Sequence, residues 1–203
     1  MLLAMLQRLA IGLLVGVATC AVAQSFHWDS KKSHELARKD AIRFSKELSP
    51  ADQTLLIRAI ATKLRPKMDD LDIHSEKRLF GLAADTRIEL LDLDGDGTPE
   101  VIAQSFGMET CGAVGNCLFW IFKKTNVGYQ SILNHGAQVF RIEDTNTNGF
   151  RDVTLGLHDS ATESHLFPYR FSNGMYRQRG CYDAEWVKEP GGPILKTPVI
   201  TKC

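Results

Sequence analysis

The stretch Asp92-Leu93-Asp94-Gly95-Asp96-Gly97-Thr98-Pro99-Glu100 carries four carboxylates within nine residues. Acids this close repel one another unless a cation sits among them or the chain holds them apart. Alternation puts Asp92, Asp94 and Asp96 at positions one, three and five, and Gly97 at six permits a sharp bend. Thr98 at seven offers a backbone oxygen, and Glu100 at nine adds a further carboxylate. Calcium takes six to eight oxygen ligands in flexible geometry, so this pattern suits Ca2+ first and the stricter Mg2+ second.

The spacing recurs at Asp144-Thr145-Asn146-Thr147-Asn148-Gly149-Phe150-Arg151-Asp152. Here Asn146 and Asn148 take positions three and five, Phe150 supplies the backbone position and Asp152 the last carboxylate. Apolar alternation precedes each stretch and an apolar run follows it, Val101-Ile102 in one case and Val153-Thr154-Leu155 in the other. A strand–loop–strand unit is therefore used twice, a short internal repeat. The second loop has half the carboxylates of the first. It reads either as a weaker calcium site or as a metal-free turn, because Asn and Asp serve turns well.

Neither loop is an EF-hand, which wants an acid at position twelve, where this chain has Ala103 and Leu155. Both resemble the Asp-x-Asp-x-Asp-Gly-x-x-Asp calcium loops of FG-GAP and VCBS repeat proteins. The resemblance implies side-chain ligands at Asp92, Asp94, Asp96 and Glu100, and at Asp144, Asn146, Asn148 and Asp152. Glu100 departs from the usual Asp. A closed propeller needs at least four blades, so two units imply a smaller sheet assembly.

The 203 residues suffice for one ordinary domain with a helical extension. Lys plus Arg equals Asp plus Glu, 24 each, which implies no steering toward nucleic acid. Residues 1–23 read as a signal peptide. Arg8 opens it, Leu9 to Ala18 is an apolar run, and Ala21-Val22-Ala23 gives a small-x-small cleavage pattern. An uncleaved anchor is the alternative, although the run is short for a span. A lipoprotein reading would use Cys20, which Thr19 fits poorly. Beyond the leader, Cys111, Cys117, Cys181 and Cys203 remain. An even set in an exported chain reads as disulfides, and local spacing favours Cys111–Cys117 and Cys181–Cys203. Zinc is disfavoured, since no Cys-x-x-Cys pair occurs.

Residues 24–82 read as a helical section. One helix is expected from His34 to Leu48. A second follows the Ser49-Pro50 start signal and ends at Arg65-Pro66, with Leu56, Ile60, Lys63 and Leu64 on one side. A shorter piece covers Asp72 to Phe80. The Lys and Arg of this section read as a solvated helix surface or, alternatively, as a face for an anionic polymer or lipid surface.

Residues 83–203 read as a β domain. Strand patterns cover Ile88–Leu91, Val101–Ala103, Leu118–Phe122, Tyr129–Leu133, Ala137–Ile142, Val153–Leu157, Leu166–Phe171 and Met175–Cys181. Lys123-Lys124-Thr125-Asn126, Asn134-His135-Gly136 and Ser172-Asn173-Gly174 separate them, and the tail around Pro190–Pro193 reads as irregular. Short connections predict antiparallel pairing. Trp120 and Phe122 share one face of their strand while Phe119 and Ile121 share the other, the mark of a central strand. The expected fold is α+β, helices packed on a mainly antiparallel sheet.

Catalytic signals are weak. Ser160 or Ser164 with His158 or His165 could make a nucleophile–base pair, but no nucleophile elbow surrounds them, and a polar surface loop is the simpler reading. The segment from Cys111 to Cys117 lacks a phosphate-cradle sequence. The expectation is a non-enzymatic, calcium-stabilised binding module, periplasmic or secreted. Its partner would be a protein or an envelope polymer, with no nucleic acid and no membrane span after leader cleavage. An envelope enzyme inhibitor or immunity-type protein is the alternative, and a hydrolase is the least favoured class.

Overall fold

The structure is a computed structural model that describes residues 26–33, 36, 41–187 and 197–203. The expected leader over residues 1–23, residues 34–35 and 37–40 of the first expected helix, and the Pro190–Pro193 tail lie outside the described residues.

Helix α1 (Pro50–Asp70) starts as the sequence predicts: the Ser49 hydroxyl accepts from Asp52 N–H at 3.1 Å and Pro50 occupies the first turn. Leu56, Ile60, Leu64 and Met68 fall on one buried stripe, whereas Lys63 is exposed. The helix does not end at Pro66 but runs through it. Proline removes only one backbone bond, and burying Met68 a turn further on offsets that local cost. Helix α2 (Glu76–Ala84) is capped by Ser75 and buries Leu79, Leu82 and Ala83. The described part of the expected first helix is not α-helical. Ala41 bridges to Arg87, Ile42–Phe44 forms a single 3-10 turn, and the chain then bends into the Ser49 cap.

Strands β1 (Arg87–Leu91), β2 (Glu100–Gln104), β3 (Cys117–Thr125) and β4 (Gly128–Ala137) make a four-stranded antiparallel sheet in that order. The short α3 (Met108–Cys111) links β2 to β3. Strand β4 passes straight through Asn134-His135-Gly136, which the sequence suggests is a break. Pairing with Trp120, Phe119 and Leu118 of β3 holds those three residues extended.

Strands β5 (Val139–Thr147), β6 (Phe150–His158), β7 (Glu163–Ser172), β8 (Met175–Gln178), β9 (Tyr182–Glu185) and β10 (Val199–Lys202) form the second sheet. It is antiparallel throughout, in the order β10-β9-β7-β6-β5, with β8 paired to the far end of β7. Strands β9 and β10 carry no alternation strong enough to announce them. The Cys181–Cys203 disulfide ties the start of one to the end of the other.

Three layers result. Leu56, Ile60, Leu64 and Leu79 of the helices pack on Ile88, Val101, Trp120 and Phe122. The opposite face of the same sheet packs Ile102, Phe119 and Ile121 against Phe140, Val153 and Leu155 of the second sheet. The middle sheet is thus buried on both faces, which is why β2 is buried at every position and β3 is apolar on both sides. The fold is α+β with neither a closed barrel nor a propeller among the described residues.

Candidate functional site

The Asp92–Glu100 loop joins β1 to β2 at one end of the middle sheet. Gly95 and Gly97 have φ of 74° and 85°, so the backbone curls where a side chain would be strained. Leu93 is 2% exposed and packs in the core between the sheets, and its carbonyl accepts from Arg151 N–H of β6 at 2.8 Å. The loop is therefore anchored to both sheets.

Its carboxylates are ordered by its own backbone. Asp92 accepts from Gly95 N–H at 2.7 Å and Gly97 N–H at 3.0 Å, using both oxygens. Asp94 accepts from Asp96 N–H at 3.2 Å, Asp96 from Thr98 N–H at 2.7 Å, and Glu100 from Leu93 N–H at 2.9 Å. Each of these last three bonds uses one oxygen, leaving the other free to point elsewhere. All three second oxygens meet the same group, the ammonium of Lys123 on β3. It donates to Asp94 Oδ2, to Asp96 Oδ2 at 3.1 Å and to Glu100 Oε1 at 3.2 Å. The Phe150 ring lies beside it, with its centroid 5.1 Å from Nζ.

Charge and burial set the protonation pattern. Glu100 is 1% exposed, and burial raises its pKa above the ordinary range despite the Leu93 N–H and Lys123. The Thr98 N–H, followed by Lys123, lowers that of Asp96. Burial alone would lower Lys123, but hydrogen bonds to Asp94, Asp96 and Glu100 outweigh it and its pKa is raised. The ammonium therefore stays charged at neutral pH. Three carboxylates meet one lysine and Asp92 adds a fourth acid beside them, so the loop carries more acidic than basic groups.

Asp92, Asp94 and Glu100 bring one carboxylate oxygen each to within 4.8 Å of one another, and this group could hold a metal ion. The donor set is all oxygen, as a hard cation requires. Thr98, predicted to offer its carbonyl, donates its N–H within the loop. Lys123 opens a turn-like run after Phe122 that does not mark it as a site residue. Its position does: it alternates with Phe119 and Ile121 on the face of β3 that meets the second sheet.

The second predicted loop is arranged differently. Residues 144–152 form the ends of β5 and β6, joined by a two-residue turn with positive φ at both Asn148 and Gly149. The predicted ligands diverge. Asp144 is exposed and pairs with Lys32 at 3.0 Å; Asn146 pairs with Arg151 across the ladder; Asn148 donates to the Phe171 carbonyl at 2.7 Å. Phe150 stacks on Phe171 with centroids 3.8 Å apart. Asp152 is buried and accepts from the Thr145 hydroxyl at 2.8 Å. A register shift between Ile142 and Asn146 absorbs the residues that a calcium loop would curl.

The polar segment between β6 and β7 is a turn closed on Glu163, whose carbonyl accepts from Asp159 and Ser160 N–H. The Ser160 hydroxyl donates to Glu163 at 3.1 Å, and His165 meets Asp183 at 2.8 Å. Among the described residues neither Ser160 nor Ser164 hydrogen-bonds a histidine. His165, Asp183 and Cys203 also cluster, but the Cys203 sulfur is committed to its disulfide with Cys181. The Cys111–Cys117 disulfide closes the segment after α3. Among the described residues no helix is long and apolar enough to cross a membrane. No protein-family model, curated protein or solved structure matches the chain.

Proposed function

We propose that this is a non-enzymatic binding module, periplasmic or secreted, whose Asp92–Glu100 loop takes up Ca2+ as a fastener between its two sheets. The observation that carries the reading is the division of labour within the loop. Asp94, Asp96 and Glu100 each give one oxygen to a backbone N–H and direct the other at a common cation position, which the Lys123 ammonium occupies and which adjoins the Asp92, Asp94 and Glu100 oxygens that could hold a metal. Leu93, held in the inter-sheet core, makes the loop a structural joint. An ion bound there stabilises the folded state by mass action. The two disulfides and the leader-like apolar run from Leu9 to Ala18 support an extracytoplasmic setting. Melting of the disulfide-intact protein in calcium and in chelator tests the reading. A higher Tm in calcium that Asp94→Ala abolishes is expected, and identical melts refute it.

A second reading, an envelope enzyme inhibitor, draws on two exposed apolar side chains, Val114 inside the disulfide-closed segment at 48% exposure and Met108 just before it at 83%. It requires an envelope enzyme whose activity falls on addition of this protein and recovers with Met108→Glu.

A further inference from the structure

The outer face of the second sheet, away from the middle sheet, carries a row of charges where strand alternation turns them out of the core. Arg141 and Glu143 alternate with Phe140 and Ile142 on β5, and Asp152 and Thr154 with Val153 and Leu155 on β6. The Phe26–Trp28 segment crosses one end of this face. Phe26 stacks on Tyr182 at 4.2 Å, and the His27 carbonyl accepts from Arg141 at 3.0 Å. Between them lies a cleft of about 430 Å³, within the range of small-molecule sites.

The charges of the cleft are unevenly matched. Arg141 and Glu143 form a closed pair, bonded at 2.7 and 2.9 Å, with the Thr154 hydroxyl on the same carboxylate oxygen. Asp152 is 6% exposed; its Oδ2 accepts from Thr145, but its buried Oδ1 has no hydrogen-bond partner. A buried acceptor left unpaired loses its hydration without compensation. Arg170 approaches Asp152 only to 3.6 Å and is largely exposed. Arg179 is exposed on the cleft rim. Its backbone is fixed by the Pro168 carbonyl at 2.8 Å, and its guanidinium makes no ion pair among the described residues. The cleft thus has a cationic rim with one surplus charge and, in its wall, the mostly buried carboxylate of Asp152, which is short of donors.

We propose that this cleft binds a small organic anion that also carries hydrogen-bond donors, with the anionic group at Arg170 and Arg179 and a donor at Asp152. Guanidinium groups suit carboxylate and phosphate oxygens, and Asp152 Oδ2, with one hydrogen bond from Thr145 and capacity for another, suits a hydroxyl or an ammonium. The stacked Tyr182 and Phe26 rings supply an apolar wall. This site is separate from the calcium reading and stands without it.

Titration calorimetry on the full, disulfide-intact protein tests the proposal with four probes. Glucuronate offers a carboxylate with hydroxyl donors, and zwitterionic alanine offers a carboxylate with an ammonium donor. Acetate lacks the donors, and methyl glucoside lacks the charge. Binding of glucuronate or alanine at least about tenfold tighter than both controls is expected, and the better of the two identifies the donor. Arg179→Ala and Asp152→Asn should each weaken that probe about tenfold, the loss of one charge-assisted contact. Arg179 is exposed, so its substitution leaves the fold intact even if Asp152→Asn does not. Binding of neither glucuronate nor alanine overturns the proposal, as does equal binding of acetate or a full response in Arg179→Ala.

Discussion

Lys123→Met removes the cation that the acidic loop contains and leaves a side chain of similar length. Breaking one partner out of a buried charge cluster costs about 3–5 kcal/mol. Here the cluster is only partly dry: the side chains of Glu100 and Asp94 are 1% and 13% exposed, but those of Lys123 and Asp96 are 33% and 46% exposed. Solvent screening of the exposed members brings the expected loss to about 2 kcal/mol. For a domain of this size that is a fall in Tm of about 4–8 °C in chelator. Calcium should act in the opposite direction. In the wild type an incoming ion competes with the ammonium for the second oxygens of Asp94, Asp96 and Glu100. In the variant that competition is gone, and calcium binds about 30-fold tighter if the same 2 kcal/mol is released. The assay is thermal unfolding of both proteins across a calcium titration. The variant should melt lower than wild type in chelator and show a larger calcium-induced rise. A variant as stable as wild type in chelator, or one that responds less to calcium, refutes the argument.

Two further predictions concern other parts of the fold. The Lys124 side chain, followed by the Ser49 hydroxyl, lowers the pKa of Asp52, so this acid stabilises the protein above its unfolded value of about 3.9. That stability is lost as pH falls through the lower folded value. Urea midpoints for wild type and Asp52→Asn should therefore differ at neutral pH and converge in acid; a difference that persists below both values contradicts the assignment. Replacing Cys181 and Cys203 by alanine opens a loop with a sequence separation of 22, against 6 for Cys111–Cys117. Loop-closure entropy gives losses of about 3.4 and about 2.4 kcal/mol respectively, so denaturant unfolding should rank the first pair as the costlier deletion.

The sequence is legible where a residue's neighbours on its own strand decide its environment. The double-sided apolar pattern of β3 marks a central strand, but the sequence does not show that the strands divide into two sheets; the structure turns Trp120 and Phe122 toward the helices and Phe119 and Ile121 toward the second sheet. Local rules failed where a distant partner overrode them. Pro66 does not stop α1, because Leu64 and Met68 on either side of it are both buried against the sheet. Asn134-His135-Gly136 does not break β4, because β3 supplies the facing ladder. The acidic loop was visible as a cation cradle, but Lys123 lies 23 residues beyond Glu100 and only the sheet register brings it there. The match at Asp144–Asp152 shares the spacing without the curl. Its central Asn-Gly suits a hairpin turn equally well, and strand pairing on both sides selects that use.

Whether Lys123 neutralises the loop or merely packs beside it can be separated by adding Asp94→Asn. In the wild type this substitution removes one acceptor of the ammonium and should destabilise. Without Lys123, Asp94 has no cation to meet and only repels Glu100, whose charged form it already disfavours. Oxygens of the two carboxylates lie within 4.8 Å of each other, where like charges repel by about 3.5 kcal/mol or more at an effective dielectric of about 20. Partial exposure reduces that figure, so the coupling expected from the cycle is about 1–3 kcal/mol. The sign is the sharper test: Asp94→Asn should lower the urea midpoint of the wild type and raise that of Lys123→Met, both in chelator. Additive effects would mean that the ammonium and the carboxylates are neighbours without being electrostatically coupled. Calcium supplies the remaining check. The double variant is relieved of repulsion by losing a ligand, so it should be more stable than Lys123→Met in chelator yet gain less from calcium. A protein that gained both would show that Asp94 is not part of the cation position.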